Sequence, residues 1–125
     1  MPYKQYLEQA EEELEAANLL REKGFLRESI SRAYYAMFHA AQALLMLKKI
    51  FPKSHKGVIQ KFGEEFIKAG LLEKEMGYML SQAETMRLKA DYDVGVQISE
   101  EECDAVLEHS EQFIDIIKKT IIKKF

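Results

Sequence analysis

The stretch from Leu26 to Lys49 constrains this chain most, because its apolar residues lie on two helical stripes at once. Ile30, Ala33, Tyr34, Met37, Ala41 and Leu44 form one stripe, and Ala36, Ala40, Ala43 and Leu47 form the other. A helix that is apolar on two faces must be covered on both, so this segment predicts a central helix and obliges the rest of the chain to supply its neighbours.

The remaining sequence offers helices to do so. The pattern is helical from end to end, with almost no alternating β-branched run and only two prolines. A first helix is predicted from about Pro2 to Lys23, with Tyr3, Leu7, Ala10, Leu14 and Ala17 on one face and Gly24 as its stop. After a loop from Ile50 to His55, Ser54 can cap a third helix that runs to about Lys68, before Gly70, with Val58, Phe62, Phe66 and Ile59 turned inward. A fourth, from about Glu73 to Asp93, directs Met76, Met79, Leu80 and Ala83 inward, and Gly95 lies just beyond it. The fifth opens on Ser99-Glu100-Glu101-Glu102, a capping box, and buries Val106, Phe113, Ile114, Ile117 and Ile121. The expectation is an all-α bundle of about five helices, with residues 1–125 as a single domain.

Composition narrows the function classes. With 125 residues, 47% apolar and 31% charged, the chain can bury a core without staples. One cysteine, Cys103, can neither close an internal disulfide nor complete a thiolate metal site, so a cytoplasmic setting is expected. The amino terminus lacks the layout of a secretory signal, and the most apolar stretch, Ala33 to Leu47, is interrupted by His39 and Gln42 and is too short to span a bilayer. The net charge of −3 conceals a gradient, since residues 31–70 hold seven basic and two acidic side chains, residues 1–30 four and seven, and residues 71–125 seven and twelve. Local sign decides where an anion is drawn.

Three segments could carry chemistry. On the central helix Arg32 and His39 are seven residues apart, roughly 10 Å of rise with ~20° of drift, and Tyr35 and Gln42 share their stripe. This polar row either fixes packing register through hydrogen bonds or lines a cleft in which Arg32 holds a phosphate and His39 exchanges a proton. Near the end of the fourth helix, Arg87 and Asp91 are one turn apart and can pair, in the less favourable order for a helix carboxyl end. The segment Lys48 to Lys56, with Lys49, Lys53, His55 and Lys56, leads into a helix amino terminus and suits an anion, or else is a solvated surface. His109 has no second histidine one turn away, so no metal site is expected, and the absence of a phosphate-binding glycine loop or a nucleophile elbow leaves no cofactor called for.

The run from Arg32 to Leu45, followed by Lys53-Ser54-His55-Lys56-Gly57 and by Arg87-Leu88-Lys89-Ala90-Asp91-Tyr92, resembles the small stand-alone branch of the HEPN family, named for higher eukaryotes, prokaryotes and nucleotide binding. The resemblance covers nearly the whole chain. It implies an up-and-down helical bundle, often a homodimer, and a partner, because many prokaryotic members act with a minimal nucleotidyltransferase as a toxin and antitoxin pair. Active members are metal-independent ribonucleases built on an arginine, four to six residues, then a histidine. Arg87 matches the arginine of that late motif, but the histidine positions are Tyr92, Asp93 and Val94. Arg32 and His39 satisfy the spacing on an earlier helix.

Three readings follow. The first is a nucleotide- or RNA-binding accessory protein, acting with a nucleotidyltransferase as a toxin-antitoxin component. The second is a metal-independent ribonuclease with His39 as acid or base and Arg32 and Arg87 stabilising phosphate charge. The third is a helical dimerisation module whose polar row only sets register. Arg32, Tyr35 and His39 are expected to share a face near Arg87, Asp91 and Tyr92; the ribonuclease reading with a composite site requires this, directly or across a dimer axis, and without it the binding reading describes the chain better.

Overall fold

A computed structural model describes residues 2–125. It holds five α-helices: α1 (Pro2–Glu22), α2 (Leu26–Leu47), α3 (His55–Phe62), α4 (Lys74–Tyr92) and α5 (Glu100–Lys124), with no strand among the described residues. The helix α2 touches α1, α3, α4 and α5, and its two apolar stripes are covered as the spacing requires. Tyr34, Met37 and Leu44 on one stripe and Ala36, Ala40 and Ala43 on the other are fully buried.

Small residues set how closely the neighbours approach. The Ser29 hydroxyl donates to the Ala17 carbonyl of α1 at 2.8 Å, and the Ser110 hydroxyl of α5 donates to the Ala33 carbonyl at 2.9 Å. At the α3 end, Phe62, Phe66 and Phe113 pack with ring centres 5.4 to 5.7 Å apart. Burying each such ring stabilises the fold by about 1.5–3 kcal/mol.

The helix ends follow local rules. Gly24 (φ +84°) and Gly70 (φ +79°) take the left-handed conformation, and the amides that follow them return to the Leu20 and Phe66 carbonyls. Lys49 closes α2 in the same way with φ +62°, and the Ile50 amide bonds the Leu45 carbonyl. For this reason α2 ends at Leu47, two residues before the expected Lys49. Ser99 and Glu102 form the complete capping box, and the Ser54 hydroxyl accepts from the Gly57 amide.

The third helix departs from expectation within its run. Regular α-geometry stops at Phe62 and a π-helical turn, Gly63–Ile67, carries the chain on, marked by the Lys68 amide bonding the Gly63 carbonyl. A glycine in mid-helix is the residue that eases such a widening. Across the bundle, the Arg27 guanidinium donates to the Lys89, Ala90 and Val94 carbonyls at 3.5, 2.8 and 3.4 Å, and also to that of Val96, tying the start of α2 to the end of α4 and the connection beyond it.

Candidate functional site

The polar row of α2 meets a partner that sequence reasoning missed. Glu13 of α1 lies in phase with Ala10 and Ala17, both fully buried, and is itself buried in the α1–α2 contact. Its carboxylate accepts from His39 Nδ1 at 2.8 Å, from Arg32 Nη1 at 3.5 Å and from Gln9 Nε2 at 3.3 Å. A carboxylate can only accept here, so Nδ1 carries the proton and the Nε2 of His39 is left to act outward. The Arg32 guanidinium lies 5.0 Å from the centre of the Tyr35 ring, and Tyr6 meets the His39 ring edge-on at 5.8 Å. Gln42, at the far end of the row, lines a separate hollow with Tyr6, Met46, Phe51 and Lys53.

A second constellation faces the same helix from α4. Arg87 is buried, and its Nη2 donates to Glu84 Oε1 at 2.5 Å, while its Nη1 is 3.6 Å from Asp91. The expected Arg87–Asp91 pair is therefore the looser of two, and Glu84, which the sequence reading passed over, is the closer partner. The guanidinium lies 5.1 Å from the Tyr34 ring centre and 5.8 Å from that of Tyr35. Burial first, and the neighbouring Glu84 carboxylate second, hold the Tyr34 hydroxyl far above the usual phenol range.

His55 belongs to this cluster and not to the surface of the lysine segment. As the first residue of α3 it stacks on Phe38, ring centres 4.4 Å apart, and its Nδ1 is 2.9 Å from the Tyr34 hydroxyl and 3.7 Å from Glu84 Oε2. Burial, then the Arg87 charge, push its pKa below the ordinary imidazole value, with Glu84 opposing. Lys48 also turns inward, donating to the Glu65 carbonyl at 3.0 Å and lying 4.8 Å from the Phe66 ring centre. Lys49, Lys53 and Lys56 are exposed and form no ion pair among the described residues.

Tyr35 joins the two sides of α2. It lies under Arg32, within 5.8 Å of Arg87, 5.5 Å from His55 and 6.4 Å from His39, measured to ring centres. Arg32 and Asp91 border one open groove, together with Arg27, Ser31 and Val94. Tyr92 is 72% exposed, and no ring or hydrogen-bond contact among the described residues joins it to this cluster. No group of three potential metal ligands occurs among the described residues, and Cys103 is buried, with burial pushing its thiol up.

The chain matches the model of the HEPN domain over residues 3–120, a span that includes every residue of both constellations. The chain belongs to the HEPN family. A Methanocaldococcus jannaschii protein named "Putative toxin" is 42% identical over 115 residues, 92% of this chain and 85% of its own length. A second protein of that name in the same organism is 39% identical, covering 94% of this chain and 80% of itself. A UPF0332 protein of Gloeobacter violaceus is 34% identical and covers 88% of each chain. This HEPN chain has no described helix long and apolar enough to cross a membrane.

Proposed function

We propose that this HEPN chain binds single-stranded RNA or nucleotide phosphate as one member of a toxin-antitoxin type pair, the other member being a minimal nucleotidyltransferase. The observation that carries the reading is a strip of half-exposed side chains along α2 and the start of α3: Arg32, Tyr35, His39 and His55. A guanidinium for phosphate, an aromatic face for a base and two imidazoles able to donate or accept form a set suited to a nucleotide. The toxin-named relatives support the pairing. In this reading the chain acts as a single domain, in the cytoplasm and as a homodimer, and the exposed Lys49, Lys53 and Lys56 draw the polyanion in without reading it. Asp91 borders the groove beside Arg32, and the exposed Tyr92 follows it in the chain.

The test is fluorescence anisotropy with a labelled single-stranded RNA. Arg32→Ala should weaken binding about 10-fold or more, the effect of losing a charge-assisted phosphate contact. Unchanged affinity would remove the strip as the binding surface.

The Glu13–His39 contact at 2.8 Å favours a second reading, metal-independent RNA cleavage, because a carboxylate that fixes Nδ1–H leaves Nε2 as a defined proton-transfer atom. Here Arg32 faces the phosphate, and Arg87, buried against Glu84, holds the Tyr34 and Tyr35 rings in place. His39→Ala should abolish cleavage in the presence of chelator and leave RNA binding nearly intact; a wild-type protein without cleavage returns the function to binding alone.

A further inference from the structure

We infer that the hollow beyond His39 is a pocket for one nucleobase, with the Gln42 amide reading the edge of the base and Phe51 stacking on its face. The inference rests on the binding reading above and says where base selectivity arises. Gln42 stands three residues past His39 on the same stripe of α2, roughly 4.5 Å further along the axis. Tyr6 belongs to both places: its ring meets His39 edge-on at 5.8 Å and lines the hollow beside Gln42 and Met46. The strip and the hollow thus share a wall.

The remaining wall is the connection after α2. Lys49 takes φ +62°, a conformation rare for a residue with a Cβ, and the Ile50 amide returns to the Leu45 carbonyl, so the chain turns sharply and Ile50–Lys53 borders the hollow. Gly57 keeps that wall in place from behind: a Cβ there would come within 2.9 Å of the Ser54 hydroxyl and 3.2 Å of Pro52. Its lack of a side chain lets the loop rest on the first turn of α3. The result is a half-enclosed hollow of about 330 Å³, room for one planar ring system and not for a folded segment.

The chemistry of the lining selects a base. The Gln42 carbonyl oxygen is buried and has no hydrogen-bond partner. A leucine in its place would avoid that cost, so packing does not explain the amide. A primary amide has two N–H donors and an acceptor, and a half-turn about its last bond exchanges them, so it can match the mixed donors and acceptors of a base edge. Phe51 is 63% exposed, an aromatic surface for stacking, and the exposed Lys53 supplies a charge for the adjoining phosphate. An apolar peptide side chain would use the ring but leave the amide and the ammonium unanswered.

Position along α2 sets the order of contacts. Arg32 lies ten residues before Gln42, roughly 15 Å along the axis, a distance that a short strand covers. A strand laid on this helix sets a phosphate on Arg32, passes Tyr35 and His39, and places a base in the hollow. Charge alone holds every sequence alike, whereas an amide against a base edge favours some bases over others. Gln42 is then the residue that determines specificity, and Arg32 the one that determines affinity.

The experiment is fluorescence anisotropy at one salt concentration with labelled oligoadenylate, oligocytidylate and oligouridylate of equal length, and with the free 5′-monophosphates of the same bases as competitors. Wild type should favour one strand by about 10-fold or more. Gln42→Leu should bring the strands to within about 3-fold of one another at an unchanged or higher melting temperature, because it removes an unmet carbonyl. Phe51→Ala should weaken the favoured strand about 10-fold, and Phe51→Trp should retain it. Full competition by the matching monophosphate assigns the pocket to a free nucleotide and none assigns it to RNA; either result supports the pocket. If the strands bind alike, or if Gln42→Leu and Phe51→Ala leave preference and affinity as they are while Arg32→Ala weakens binding, the pocket is wrong and the binding reading stands. A Gln42→Leu protein that melts earlier with its preference intact makes the amide a packing group and also overturns the inference. A wild-type protein that binds none of the probes removes the binding reading and this inference together.

Discussion

On each side of α2 a glutamate, an arginine and a histidine meet, but the order of burial is reversed. Toward α1 the carboxylate is innermost, with 8% of the Glu13 side chain exposed against 40% for Arg32. Toward α4 the guanidinium is innermost, with 8% of Arg87 exposed against 16% for Glu84. An outward arginine can exchange its protein partner for a ligand phosphate at little cost, whereas an inward one is held by the energy of leaving its partner unpaired. Residues of one type, on either face of one helix, are thereby divided between binding and architecture.

The sharpest way to break that comparison is to truncate the inner member on each side. Arg87→Ala leaves Glu84 buried without its cation and removes the guanidinium from the Tyr34 ring, so it should destabilise by about 3–5 kcal/mol in urea unfolding. Glu13→Ala should cost about 1.5–3 kcal/mol, less because Arg32 can turn to water while only His39 loses a fixed partner. Arg32→Ala should change stability by about 1 kcal/mol or less while lowering RNA affinity. If Arg32→Ala destabilised as much as Arg87→Ala, the distinction between an outward and an inward arginine would fail.

A pH titration sharpens the same contrast. The native pKa of His55 lies below its ordinary 6.5, so below 6.5 the unfolded chain takes up a proton here that the native chain does not. Stability from this group is complete above 6.5 and declines as pH falls toward the lowered native value. His55→Asn should flatten that part of the stability profile, the stretch below pH 6.5, in urea unfolding; an unchanged slope would assign the acid dependence to other groups. The smallest effect belongs to the surface: replacing Lys49, Lys53 and Lys56 together with alanine should shift stability by no more than about 0.5 kcal/mol but reduce the slope of log affinity against log salt.

The elements were legible in the sequence because their signals are local. The two stripes of α2, the glycines at 24 and 70 and the Ser99 box each act within a turn of chain. The site was legible only in part. Arg32, Tyr35 and His39 share a face because 3.6-residue periodicity requires it, but Glu13 is one of four glutamates between positions 11 and 15, and only its phase with Ala10 and Ala17 separates it from its neighbours. Glu84 carries a similar faint mark, one turn from Leu80 and Arg87. His55 could not be placed from sequence at all: its surroundings come from Phe38, Tyr34 and Glu84, which converge only once α3 and α4 are docked. The π-turn at Gly63 had a signal in the glycine itself.

The hold of Arg27 on the carbonyls after α4 has a bearing on how this chain can be cut or extended. With Val94 and Gly95 exposed, the link from α4 to α5 looks like an open seam for a protease or a grafted insertion. One side chain from the start of α2 closes that seam, so nicking there requires the clamp to let go first and an insertion has to preserve four carbonyl positions. The turn at Gly24, with no comparable tether, is the better place to open the chain.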